Sequence, residues 1–307
     1  MFGIWKGIFL AAFAGCCWGT MGVAAQYLFE NCRFEADDLT ALRLIGAGIL
    51  LLLISAVSEG PRSLFLPFKD KRNIRDILIY GVGVLLIQYT FFIAIHASNA
   101  GTAAIMVGFG PLMIMFYMAA AKHRLPSAKE LFCLVLAVSG VALLVTKGNF
   151  DSLDIASAGA FWGIVSAAFG AFCTVQPKAV IERIGVSLVV GWGMVVGGTI
   201  ACFFTDPFSM DVDWTWASVG CYLFIIAFGT VAAFWCYLRS TMYVIPSISA
   251  ILGSFEPFSA VLFSFLILHT TFNGYELFGA AAIITNMLIL VWPDKNAIKK
   301  LSAEKNQ

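Results

Sequence analysis

Stretches of about twenty apolar residues recur along this chain, at 4–28, 39–58, 76–96, 99–121, 127–146, 156–178, 185–204, 215–238, 246–268 and 275–292, with short charged or Pro/Gly-marked connections between them. Each matches the roughly 20 residues a helix needs to cross a ~30 Å hydrocarbon core. Backbone groups in lipid must be satisfied within the segment, so long apolar spans mean helices. The ten-residue alternating strands of an outer-membrane barrel are absent. The expected fold is therefore an all-α membrane protein with ten transmembrane helices. Composition agrees: 60% of residues are hydrophobic and 12% charged, against about half and a quarter in soluble domains. The net charge of +1 sums over two sides of a bilayer and gives no sign of a nucleic-acid partner.

Two local features could suggest other readings. Phe13-Ala14-Gly15-Cys16 resembles a cleavage box after a short apolar run, but the run continues to about Phe29, long enough to span, and is expected to be retained as the first helix. Of the eight cysteines, only Cys32 lies in a polar connection; the rest read as small apolar residues rather than a disulfide framework.

Loop charge sets the orientation. The even-numbered connections and both termini carry Lys6, Arg62, Lys69, Lys71, Arg72, Arg75, Lys122, Arg124, Lys129, Lys178, Arg183, Arg239, Lys295, Lys299, Lys300 and Lys305. The odd-numbered connections carry Arg33 and Lys147 together with acids such as Glu35, Asp37, Asp38, Asp151, Asp211 and Asp213. Sixteen basic residues against two place both termini in the cytoplasm of a multi-pass plasma-membrane (bacterial inner-membrane) protein.

The chain also repeats itself. Displaced by 146 residues, positions 94–146 fall on 240–292 without a gap. Ala104-Ile105 meets Ala250-Ile251, Phe109 and Pro111 meet Phe255 and Pro257, and Glu130-Leu131-Phe132 meets Glu276-Leu277-Phe278. Five spans per half make the second copy enter the membrane from the opposite side. Loop charge agrees, since Lys122, Arg124 and Lys129 align with Leu268, Thr270 and Tyr275. The expected organisation is a first five-helix repeat at 1–150, a second, inverted repeat at 151–292 and a cytoplasmic tail at 293–307. Inverted repeats mark alternating-access transporters.

Trp18-Gly19 in the first span, Leu42-Arg43-Leu44 opening the second, Phe109-Gly110-Pro111 in the fourth and Phe255-Glu256-Pro257 in the ninth, with a Gly-rich last span from Gly279, resemble the drug/metabolite transporter superfamily, EamA type. The resemblance covers residues 7–292 and implies a ten-helix secondary transporter, mostly associated with export of amino acids and similar metabolites. One departure is visible: the Gly-Glu pair usual where the fourth and ninth spans end is replaced by Lys122-His123-Arg124 and Leu268-His269-Thr270.

Ionisable groups within spans are functional candidates by default. Glu256 is the acidic residue placed near the middle of a span, opposite Gly110 in the repeat. It reads as a proton-coupling group, as a counter-ion for a substrate amine, or as a structural carboxyl. Gln88, Tyr89 and Trp18 sit midway along their spans and are candidates to line a substrate cavity, with helix packing as the alternative. Pro111 and Pro257 each free a carbonyl and are candidate hinges. Arg43 is expected near the outer end of the second span, snorkelling or paired with Asp37 or Asp38. With Gln176 and Arg239 near the cytoplasmic ends, it is a candidate for a cavity mouth. His96, His123 and His269 share no ligand spacing, so no metal site and no cofactor are expected.

With no Lys or Arg expected near the middle, phosphate-bearing cargo is disfavoured. Aromatic groups and one carboxylate suit amines, amino acids or neutral metabolites. The expected partners are a small-molecule substrate and the lipid bilayer. The expectation is a transporter rather than an enzyme, for which no nucleophile–base pair or metal set is present; a scramblase or sensor is the alternative. Oligomeric state is not legible.

Overall fold

The computed structural model describes residues 2–110, 113, 128–146, 154–205, 211–240, 243 and 255–291, and among these there is no strand. The helices are α1 (Phe2–Asn31), α2 (Ala36–Glu59), α3 (Lys71–Ala97), α4 (Ala100–Val107), α5 (Ala128–Thr146), α6 (Asp154–Val175), α7 (Lys178–Ile184), α8 (Val186–Ala201), α9 (Trp216–Ile226), α10 (Ala233–Ser240), α11 (Phe255–Leu268) and α12 (Gly274–Val291). A π turn, Ala227–Ala232, joins α9 to α10, and a 3-10 helix, Pro61–Lys69, follows α2. The segments 5–31, 36–59, 71–97 and 216–237 are long and apolar enough to cross a membrane. A helix lies within each apolar stretch read from the sequence, with 99–121 and 246–268 described only in part.

The helices begin where polar side chains take up the free N–H groups of a first turn. Asp70 accepts from the Arg72 amide (2.8 Å) and Asn99 from the Thr102 amide (2.8 Å). Thr215 and Ser218 form a reciprocal box at α9. Asn273 and Glu276 do the same at α12, at 2.8 and 2.9 Å, which accounts for the burial of Glu276. Asp37 and Asp38 lie in the first turn of α2, where the helix dipole favours anions. The chain leaves α2 and enters α8 through Gly60 and Gly185 at φ +89° and +86°, a region open to glycine.

Small residues let these helices touch backbone to backbone. Any side chain at Gly81 or Gly197 would meet the facing backbone, so α3 and α8 lie in direct contact. Gly48 and Gly198 do the same for α2 and α8. Gly19 on α1 faces the Glu256 carbonyl and Ser259 on α11, and Ser259 Oγ donates to the Gly15 carbonyl (3.4 Å). Gly140 on α5 faces the Gly279 carbonyl on α12. The main helix pairings are α2 with α8, α3 with α6 and α8, α5 with α12, α1 with α10 and α11, and α4 with α6 and α11. In each of them an N-terminal-half helix meets a C-terminal-half one.

Candidate functional site

The interior of this bundle is built around a cation. Arg43 leaves the third turn of α2 and is 1% exposed. Its Nε donates to Thr230 Oγ1 (2.9 Å) and its Nη1 to Gln88 Oε1. The Phe92 ring covers the guanidinium at 5.5 Å. Gln88 and Phe92 lie one turn apart on α3 and present the same face of that helix. Glu256, half-buried on α11, lies beyond ion-pair distance of Arg43 and bears on it through space.

The π turn explains how Thr230 reaches this position. Its hydroxyl donates to the Ile225 carbonyl (2.9 Å), five residues back. A hydroxyl has one proton, so with that proton committed Thr230 can only accept from Arg43. Single π turns inside α-helices occur frequently at functional sites.

This arrangement corrects the sequence reading of Arg43. Asp38 accepts instead from Thr205 Oγ1 (2.7 Å), and Arg43 does not snorkel toward the outer end but turns inward to partners on α3 and the π turn. The expectation of an interior without Lys or Arg, and the case it made against anionic cargo, falls with it.

The other candidates divide. Gln88 is 9% exposed and in the group. Tyr89, one residue and about 100° further round the helix, is 37% exposed on another face and is not brought to it. Trp18 packs against Phe234 (5.6 Å, edge-on) and Tyr237 (5.3 Å) of α10. Pro257 is buried on α11. Pro111 lies outside the described residues, and so does the side chain of Arg239. Gln176 Nε2 donates to the Asp76 carbonyl (3.1 Å) at one end of the bundle, where Arg183 pairs with Asp76 at 2.5 Å. At the opposite end Arg33 pairs with Asp213 (3.0 Å) and Asp211 (3.4 Å). Both ends thus carry ion pairs between the N-terminal and C-terminal halves.

Sequence reasoning passed over Thr230 and Phe92. A polar residue after Gly229 in an apolar run is a faint signal for the first, and nothing separates the second from its aromatic neighbours. Apart from the charged group, a mostly apolar cleft of about 500 Å³ runs between α1, α9 and α11, lined by Thr20, Ala24, Tyr27, Gly220, Phe224 and Phe263 among others.

Among the described residues the chain is an all-helical bundle with four helices long and apolar enough to cross a membrane, the class of a multi-pass membrane protein. The sequence pattern of the EamA-like transporter family matches twice, over residues 5–146 and 157–292, and the chain belongs to that family. It is 32% identical over 286 residues to the protein named "Uncharacterized inner membrane transporter YicL" of Salmonella typhimurium, covering 93% of this chain and 95% of that one. It is 24% identical over 259 residues to "Uncharacterized transporter YetK" of Bacillus subtilis, covering 81% of this chain and 76% of that one. A solved crystal structure superposes with a TM-score of 0.63 at 14% identity, over 92% of this chain and 95% of its own; that likeness speaks to fold alone.

Proposed function

We propose that the protein is a secondary transporter that moves small organic metabolites, in the export direction, by alternating access through a site centred on Arg43, Gln88, Thr230 and Glu256. Amino acids and amines are the first cargo classes to test. The observation that carries this reading is the position of the charged group. Arg43 and Gln88 come from N-terminal helices, Thr230 and Glu256 from C-terminal ones. Relative motion of the halves would open and close the site.

Two halves at 1–150 and 151–292 related by an inverted repeat, with both termini cytoplasmic and 293–307 as a tail, complete the proposal. The pairings support a two-fold relation. Matching the first-half spans to the second in order turns the α1–α11 contact into the α6–α4 contact, and the α3–α6 contact into the contact of α1 with the α9–α10 helix. The α2–α8, α5–α12 and α4–α11 contacts map onto themselves.

Uptake of a panel of amines, amino acids and nucleosides into proteoliposomes tests the reading. Substrate-dependent flux supports it; lipid flip-flop without solute flux would favour a scramblase. Within it, Glu256 is the candidate for proton coupling. Glu256→Gln should abolish gradient-driven transport and leave solute exchange intact. Full gradient-driven transport by that variant would make the carboxylate structural.

A further inference from the structure

We propose that Arg43 selects the cargo by binding one carboxylate through the guanidinium N–H groups that Gln88 and Thr230 leave free. The proposal rests on the transport reading above and narrows it to solutes that carry that group.

A guanidinium has five N–H donors in a fixed fork. Two are committed, one at Nε to Thr230 and one at Nη1 to Gln88. No other hydrogen bond of Arg43 is made to the described residues, which leaves both N–H groups of Nη2 and one of Nη1. No Arg43 nitrogen is among the fully buried polar atoms that lack a partner, so the open donors border space that a ligand atom can reach. A carboxylate fits such an edge with two parallel charge-assisted bonds.

The surroundings hold the fork in place. Thr230 is locked as an acceptor by its bond to the Ile225 carbonyl, Gln88 fixes the second position, and Phe92 covers the guanidinium. Held at these points, the guanidinium presents its free edge in one orientation. Thr230 and Gln88 are positioning residues in this scheme; Arg43 is the group that touches the solute.

Charge decides between kinds of anion. Arg43 is a single cation, and Glu256, when ionised, acts against it. A phosphate dianion would bring two further negative charges, and no second cation among the described residues joins the group. A carboxylate brings one. Arg43 is 1% exposed, so a solute reaches it only when the halves part.

The test uses the full-length protein in proteoliposomes with radiolabelled matched pairs: phenylalanine and phenylalaninamide, leucine and leucinamide, 3-phenylpropionate and its amide. Phenethylamine and inorganic phosphate are added as competitors. The carboxylate members should be transported and the amides should not. Arg43→Lys keeps the charge and loses the fork, and should raise KM for the carboxylates by about tenfold or more with a smaller change in maximal rate. Thr230→Val should raise KM in the same sense, and Thr230→Ser, which keeps the hydroxyl, should restore it. If Arg43→Lys does not fold, the Thr230 pair carries the test. Equal transport of acid and amide, an unchanged KM in the variants, or stronger competition by phosphate than by carboxylates overturns the proposal. Transport confined to phenethylamine overturns it while leaving the transport reading intact. No movement of any member counts against both.

Discussion

At the scale of single residues, Arg43 is a buried cation bonded to Gln88 and Thr230, and Glu256 is a carboxylate that bears on it from beyond ion-pair distance. Charges that sense one another make a double variant lose less than the sum of the single losses. Arg43→Met and Glu256→Gln should each lower the thermal unfolding temperature in detergent. The double variant should recover a large part of the sum. Strictly additive losses would mean that the two charges do not sense one another. Part of this was legible in the sequence. Of nineteen Lys and Arg residues, the loops and termini account for all but Arg43, which marks it as the cation inside an apolar run. Its direction was hidden. A long side chain can carry its charge toward either end of a helix, and the choice here is made by Gln88 and Thr230, 45 and 187 residues away. Asp37 and Asp38 are close in sequence and suggested the wrong direction.

Among the elements, the α1–α11 contact depends on Gly19. A methyl group there would run into the backbone at Glu256 and Ala260 as well as Ser259 Oγ, and backbone yields less readily than a flexible side chain. Gly19→Ala should cost roughly 1–3 kcal/mol as overpacking, read as a lower unfolding temperature in detergent. An unchanged temperature would mean that α1 and α11 separate without loss. Apolar length predicted the helical stretches well because lipid leaves the backbone few alternatives. Hydropathy gave no sign of the π turn at Ala227–Ala232, since one extra residue in a helical turn changes neither composition nor length enough to register. The short α7 and the 3-10 helix at Pro61–Lys69 were likewise read as connections. At seven and nine residues, both are too short to carry a span signal.

For the whole molecule, the asymmetry of loop charge makes orientation testable. Asp211 is highly exposed and belongs to a connection assigned to the outside; Lys71 is exposed at the opposite end. With an impermeant thiol reagent on intact cells, Asp211→Cys should label and Lys71→Cys should not. The reverse pattern would invert the topology. The substitution at Asp211 gives up only an exposed ion pair, worth at most about 1 kcal/mol. Cys32, in the connection before α2, should give little background. Its thiol is pushed up from the ordinary range by burial and then by Asp213, which disfavours the reactive thiolate.

The partners that hold Arg43 also arrive at different times. A chain made at about 5–20 residues per second presents Gln88 within seconds of Arg43 but needs on the order of 10–40 s to reach Thr230, 187 residues on. During that interval α2 must enter the bilayer with its guanidinium half-satisfied. A cation within a span sets insertion back by at most about 2.5–3.5 kcal/mol, the cost at the helix centre, and the unbroken leucine and isoleucine run from Ile49 to Ile54 supplies the opposing apolar drive. The N-terminal helices are thus an assembly intermediate waiting on the ribosome. Premature chain termination before Thr230 would leave in the membrane a segment that quality-control proteases can recognise by its unmatched charge.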